Sequence, residues 1–222
     1  MNQLMQYIDL PPQQAPKDGS RKFVGDIAAG YDAKREESPK WQIEQRIIEE
    51  MLSDLPAGTV VLDCPVGTGR FLDTYIANGF PFIGIDRSGP STAEPGIPTM
   101  LELASQKADA IIKRLGLTGK VRGMLQEGDI LNLALKAKSV DVAVCCRITR
   151  WVMGDHGPDG IRQMLQEMAR VTRSRIILTA RVRDHKFAVT EELILEALKG
   201  WRITRNVAGV DLNYRIIELS CS

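Results

Sequence analysis

A chain of 222 residues with 44% hydrophobic and 26% charged residues holds enough material for one domain with a full core and requires no second domain. A formal net charge of +1 excludes a global electrostatic pull towards nucleic acid or an anionic membrane, and no apolar run is long enough to span a bilayer. Cys64, Cys145, Cys146 and Cys221 show no Cys-x-x-Cys spacing, which argues against a structural zinc site and favours free thiols in a reducing, cytoplasmic compartment.

Residues 1–22 are polar, carry Pro11, Pro12, Pro16 and Gly19, and lack the apolar core of a signal peptide; they read as a flexible or loosely docked arm. Residues 23–56 read as an N-terminal helical cap on a domain running from 23 to 222. Within the cap, Trp41, Ile43, Ile47, Ile48, Met51 and Leu52 recur at near-helical spacing over 41–54. Pro56-Ala57-Gly58 ends that segment.

From there strands and helices alternate. The pattern predicts a strand at 59–63, a helix at 69–78 closed by Asn78-Gly79, and a strand at 82–86. Residues 87–98 are rich in Gly and Pro and read as loop. A helix at 99–115, a strand at 120–126 and an apolar strand at 139–146 follow. Residues 154–160 read as loop and 161–172 as helix. A strand at 174–182 and a helix at 190–199, capped by Thr190, come next. Two last strands, 201–208 and 213–219, are joined too tightly for a parallel crossover and must be antiparallel. Such alternation requires an α/β fold: one doubly wound seven-stranded sheet, mostly parallel with an antiparallel C-terminal strand, and helices on both faces. Vicinal Cys145 and Cys146 should point to opposite faces of their strand.

The chemistry concentrates at strand ends. Val60-Val61-Leu62-Asp63-Cys64-Pro65-Val66-Gly67-Thr68-Gly69 is a buried strand running into a glycine turn. Twenty-three residues after Asp63, the next strand ends in Asp86, an acid placed to accept hydrogen bonds from ribose hydroxyls. Together they predict a nucleoside-bearing ligand at the carboxyl end of a parallel sheet. A dinucleotide site wants a small residue three positions past the second glycine; here Leu72 stands there. No Gly-x-x-x-x-Gly-Lys-Ser/Thr loop is present. A nucleoside without a pyrophosphate fits better.

Over residues 25–220 the chain resembles the class I (Rossmann-like) S-adenosylmethionine-dependent methyltransferases. The resemblance implies S-adenosyl-L-methionine as cofactor and S-adenosyl-L-homocysteine as product. It places Asp63, Cys64, Pro65, Gly67 and Gly69 in the turn against the methionine part, with Asp63 facing the amino group. Asp86, followed by Arg87, matches the ribose acid. Asp129, in Glu127-Gly128-Asp129-Ile130, matches the acid meeting the adenine amino group, with Ile130 beside the ring. Cys146 and Arg147 match the segment bordering the methyl-transfer site. Two departures stand out: Pro65 replaces the first family glycine, and Gly89–Thr99 intervene before Met100-Leu101.

Methyl transfer from a sulfonium is an in-line displacement, so the protein mainly aligns the nucleophile and takes its proton. Candidate bases are His156, His185, Asp155 and Tyr31; Tyr31 or Arg35 is also placed to cap the pocket. The Asp/Asn-Pro-Pro-Tyr/Phe turn of enzymes that methylate base amines is absent, as is the Pro-Cys of the cytosine-carbon enzymes. The segment from Cys145 to Val152 looks like that of small-molecule methyltransferases of the ubiquinone-biosynthesis-like group, with Trp151 as a pocket wall. Arg147 and Arg150 point to a small, anionic acceptor methylated at oxygen or nitrogen. The basic run Arg170, Arg173, Arg175, Arg181, Arg183 and Lys186 keeps RNA or another nucleic acid as an alternative acceptor. A non-catalytic cofactor-binding module with the same fold is the third reading.

Overall fold

The computed structural model describes residues 3–7, 23–183, 186–209 and 214–221. Seven strands, β1 (Val61–Asp63), β2 (Phe82–Asp86), β3 (Gly123–Glu127), β4 (Val140–Cys145), β5 (Thr172–Arg181), β6 (Trp201–Ala208) and β7 (Tyr214–Cys221), form one sheet in the order β3-β2-β1-β4-β5-β7-β6. The five strands from β3 to β5 pair in parallel. β7 is antiparallel to both β5 and β6. The doubly wound sheet with its antiparallel C-terminal strand is therefore the one expected.

The helices are α1 (Asp26–Ala29), α2 (Ala33–Glu36), α3 (Pro39–Leu52), α4 (Leu72–Ala77), α5 (Met100–Arg114), α6 (Thr149–Val171) and α7 (Glu191–Ala197). They cover both faces because the central strands are apolar on both. On one face, Val142, Val144 and Ile177 pack with Ile48, Met51 and Leu52 of α3, Tyr75 and Ile76 of α4, and Ala104 and Ala108 of α5. On the other, Ala143, Cys145, Ile176 and Leu178 pack with Met164, Leu165 and Met168 of α6 and Ile194 of α7. Cys145 belongs to the second core and Cys146 packs against the first, the opposite-face arrangement that a strand dictates. Residues 3–7 form a 3-10 helix whose Leu4 is buried in the second core.

One segment differs from expectation. Residues 154–160 are not a loop: α6 runs through them and is broken only at Gly157 (φ 64°, ψ −161°), with Pro158 restarting the helix. Only glycine adopts that backbone readily, and proline suits the first helical position that follows. The loop read at 87–98 is a loop in the structure. It holds a short 3-10 turn (Pro90–Thr92) and is tied to the cap: Ser88 Oγ donates to the Phe23 carbonyl at 2.7 Å, and Gly25 N–H donates to the Pro98 carbonyl at 2.8 Å. Thr99 then caps α5 through a reciprocal capping box with Glu102. The inserted residues thus anchor the cap beside β2.

Candidate active site

The strand order reverses between β1 and β4, and a crevice at their carboxyl ends follows from that switch. A cleft of about 370 Å³ lies there, lined by residues that include Asp63–Thr68, Asp86–Ser88, Gly128, Ile130 and Cys146–Ile148, and roofed by Phe23, Tyr31 and Trp41 of the cap.

The glycine turn is built around Asp86. Its Oδ2 accepts the Gly67 N–H at 2.9 Å, and its Oδ1 accepts the Ser88 N–H at 2.9 Å. Each oxygen keeps a further lone pair. Burial raises the Asp86 carboxyl above its usual range, while the hydrogen bonds from Ser88 and Gly67 work against that shift. Gly67 (φ 56°) has no heavy atom within 4 Å of where a Cβ would sit, so the space over the turn is open to a ligand. Gly69 (φ 80°) is different: a Cβ there would lie 2.3 Å from Leu72 Cδ1. It lets the turn pack onto α4 and is not part of the cleft lining. The Cys64–Pro65 peptide is cis, and both residues line the cleft.

Asp63, 2% exposed, accepts a hydrogen bond from Tyr75 Oη at 3.2 Å. Burial pushes its carboxyl up to about 8, against smaller opposing effects of the Tyr75 hydrogen bond and the Arg70 charge. Ile130 is buried and lines the cleft. Asp129 does not: its Oδ1 accepts the Leu131 N–H at 2.9 Å and its Oδ2 lies 3.8 Å from Arg87, which does line the cleft. The Asp129 carboxylate thus sits at the edge of the cleft, next to the Arg87 that lines it.

The cap contributes side chains that strand-end motifs do not announce. Arg70 stacks on Trp41, 3.6 Å from the ring centroid, and donates from Nε to Gln45 and from a terminal nitrogen to Glu44. Glu44 is 2% exposed and also accepts from Arg147 Nε at 2.9 Å. One carboxylate of α3 therefore joins the first turn after β1 to the first turn after β4. Its sequence signal is position: Trp41, Glu44, Ile48 and Met51 share one helical stripe, so Glu44 is an acid on the apolar face.

Arg147 occupies the left-handed region (φ 60°), costly for a non-glycine residue. Its N–H donates to Thr179 Oγ1 at 2.9 Å, which also accepts from Tyr214 Oη at 2.9 Å, and Glu44 holds its guanidinium. Neighbouring elements thus fix both ends of the residue.

Of the candidate bases, Tyr31 and Asp155 line the cleft. Tyr31 lies edge-on to Phe23 and Trp41, under the Arg35 guanidinium at 4.3 Å; burial raises its hydroxyl above the usual range. His156 sits one residue past Asp155 on the helix, is exposed and lies outside the lining, because the helix turns it away. His185 lies outside the described residues. Trp151 walls the cleft as expected.

A second cavity of about 400 Å³ adjoins the cleft and shares Arg147, Tyr31, Phe23 and Trp151 with it. Arg35, Lys40, Glu44, Arg150, Arg181, Phe187 and Tyr214 are also among its lining residues. Half of the basic run lies elsewhere and is paired with acids of the domain: Arg170 with Glu167, Arg173 with Asp141, and Arg175 with Asp54.

No protein-family model matches the chain, and no curated protein matches it in sequence. Solved structures do match in fold. Magnesium protoporphyrin IX methyltransferase (ChlM) from Synechocystis PCC 6803, with bound S-adenosylmethionine, superposes with a TM-score of 0.65 at 17% identity, covering 93% of this chain and 97% of that one. The [4+2]-cyclase SpnF gives 0.64 at 14% identity, covering 97% and 98%. An S-adenosylmethionine-dependent methyltransferase from Clostridium acetobutylicum ATCC 824 gives 0.61 at 15% identity, covering 87% and 96%. The chain has the Rossmann-like fold of the class I S-adenosylmethionine-dependent methyltransferases.

Proposed function

We propose that this protein is an S-adenosylmethionine-dependent methyltransferase acting on an oxygen or nitrogen of a small, anionic acceptor. The observation that carries the reading is the Asp86 carboxylate. Both oxygens are fixed by backbone N–H groups of the turn and of Ser88, beside an open Gly67, which suits a ribose diol held against bare backbone.

In this reading Asp86 binds the ribose hydroxyls, Ile130 and Arg87 border the base, and Asp63 with the Cys64–Gly67 backbone receives the amino-acid end. When bound, the cofactor supplies an electrophilic methyl group, with sulfur as the leaving atom. The chain's own work is to exclude water and to orient the nucleophile. Phe23, Tyr31 and Trp41 roof the cleft. Arg147, shared by the cleft and the adjoining cavity, positions the acceptor. Asp155, on the cleft wall, takes the proton that the nucleophile loses. SpnF carries this fold under the name of a cyclase, so the fold alone does not set the chemistry, and the reading rests on the site.

The anionic acceptor is favoured by the cationic lining of the second cavity. The nucleic-acid alternative draws less support from the basic run, because three of its six residues, Arg170, Arg173 and Arg175, are engaged with acids of the domain. The test is calorimetric titration of S-adenosylhomocysteine into the wild type and into Asp86→Ala. Saturable binding that the substitution weakens supports the reading; no binding to the wild type overturns it.

A further inference from the structure

We infer that the second cavity takes a flat aromatic acceptor carrying an oxyanion group, carboxylate or phosphate, and that Arg150 is the residue that selects it. The inference rests on the proposed methyl transfer, since it places the acceptor beside the cofactor cleft.

Three observations converge. The first is charge. Arg35, Lys40 and Arg150 all line the cavity, and among the described residues none of them forms an ion pair; the acid of the lining, Glu44, is already engaged by Arg70 and Arg147. This contrasts with the arginines of the 170–175 run, each matched to an acid. Cations left without partners around one concavity call for a counter-charge from outside the chain.

The second is the seat of Arg150. Its guanidinium lies 5.7 Å from the Trp151 ring centroid and 6.0 Å from that of Phe187. Two rings restrict its planar fork, and a pre-oriented fork engages the two oxygens of a carboxylate or phosphate at once. The same residue lies in the first turn of α6: Thr149, Arg150 and Trp151 form that turn and line the cavity, and the helix start has no side-chain cap. The positive end of the helix dipole adds to the potential there.

The third is shape and apolarity. Phe23, Tyr31, Trp151, Phe187 and Tyr214 all face a space of about 400 Å³. Ring walls favour a flat ring over a flexible chain, because stacked or edge-on contacts bury both faces of the guest. A guest with its oxyanion on Arg150 lays its ring along Trp151 towards Arg147, at the junction with the cofactor cleft.

The test uses the full chain saturated with S-adenosylhomocysteine and four probes: 2-naphthoate, 2-naphthyl phosphate, the neutral 2-naphthamide and the aliphatic cyclohexanecarboxylate. At least one naphthyl anion is expected to bind ten-fold or more tightly than both the amide and the aliphatic acid; which one does so distinguishes carboxylate from phosphate. Arg150→Ala is expected to lose at least ten-fold of that affinity, and Arg150→Lys to keep part of it. Arg150 is exposed, so an unchanged melting temperature confirms that the variants fold. If the loaded protein binds no naphthyl anion, binds the amide equally well, or is indifferent to Arg150→Ala, this inference fails while the cofactor reading stands. If S-adenosylhomocysteine itself does not bind, both fail.

Discussion

Replacing Asp63 with Asn is expected to separate the pH behaviour of this protein from its fold. Asp63 is 2% exposed, accepts from Tyr75, and is pushed by burial from its ordinary value near 3.8 up to about 8. Between those values the native state holds a proton that the unfolded chain has released. Stability from this group is therefore fully present at low pH and falls as pH rises, levelling off above about 8. One proton corresponds to roughly 1.4 kcal/mol per pH unit across the middle of that window. The D63N variant keeps an oxygen for Tyr75 and does not titrate. Urea unfolding of both proteins from pH 5 to pH 9 should show the variant gaining on the wild type with that slope. Cofactor binding should show the linked effect. A ligand ammonium beside Asp63 favours the carboxylate, so binding near pH 7 releases a proton. Affinity of the wild type for S-adenosylhomocysteine should then rise with pH up to about 8, by at most about ten-fold per unit. The variant should lack this component. Parallel stability curves for the two proteins, together with equal proton release on binding, would refute the burial argument and the placement of the ammonium.

Asp86→Ala should weaken S-adenosylhomocysteine binding by about 10- to 100-fold, the equivalent of roughly 1.5–3 kcal/mol for lost hydrogen bonds to a charged group; calorimetry reads it directly. Gly69→Ala should lower stability by at least about 1–2 kcal/mol from the left-handed backbone alone, with more from displacing Leu72, measured by thermal unfolding. Glu44→Ala should cost about 3 kcal/mol in chemical denaturation, because Arg70 and Arg147 lose their shared carboxylate. Arg147→Ala should raise the acceptor KM more than the cofactor Kd, since Glu44 still holds Arg70 on the cofactor turn.

The sheet was legible because its signals are local. Val60–Asp63, Phe82–Asp86 and Val140–Cys145 are apolar on both faces, and only the centre of a parallel sheet buries both. The turn at Asp63–Gly69 and the acid at Asp86 could be read for the same reason: the strand end fixes where they point. The break in α6 could not be placed. Gly154, Gly157, Pro158 and Gly160 together read as a loop, whereas the helix bends only at Gly157 and buries Gly160 against His156 and Val152. That error also carried His156 towards the cleft, which in the structure admits Asp155 instead. Asp129 shows a second limit. Spacing located the residue, but its carboxylate caps the following turn and faces Arg87, and rotamers are set by neighbours distant in sequence. The cap was the least legible part. Phe23 and Trp41 reach the cleft, and Glu44 the adjoining cavity, with Ser88 and Pro98 holding the N-terminal segment beside β2, and no periodicity encodes such long-range ties.

The most direct test of the central claim is a crystal structure of the protein with S-adenosylhomocysteine. The account predicts the ribose hydroxyls within hydrogen-bond distance of the Asp86 carboxylate, the amino-acid end over Gly67, and the sulfur facing the junction beside Arg147. Ligand bound elsewhere, or in this cleft with the ribose away from Asp86, would contradict it.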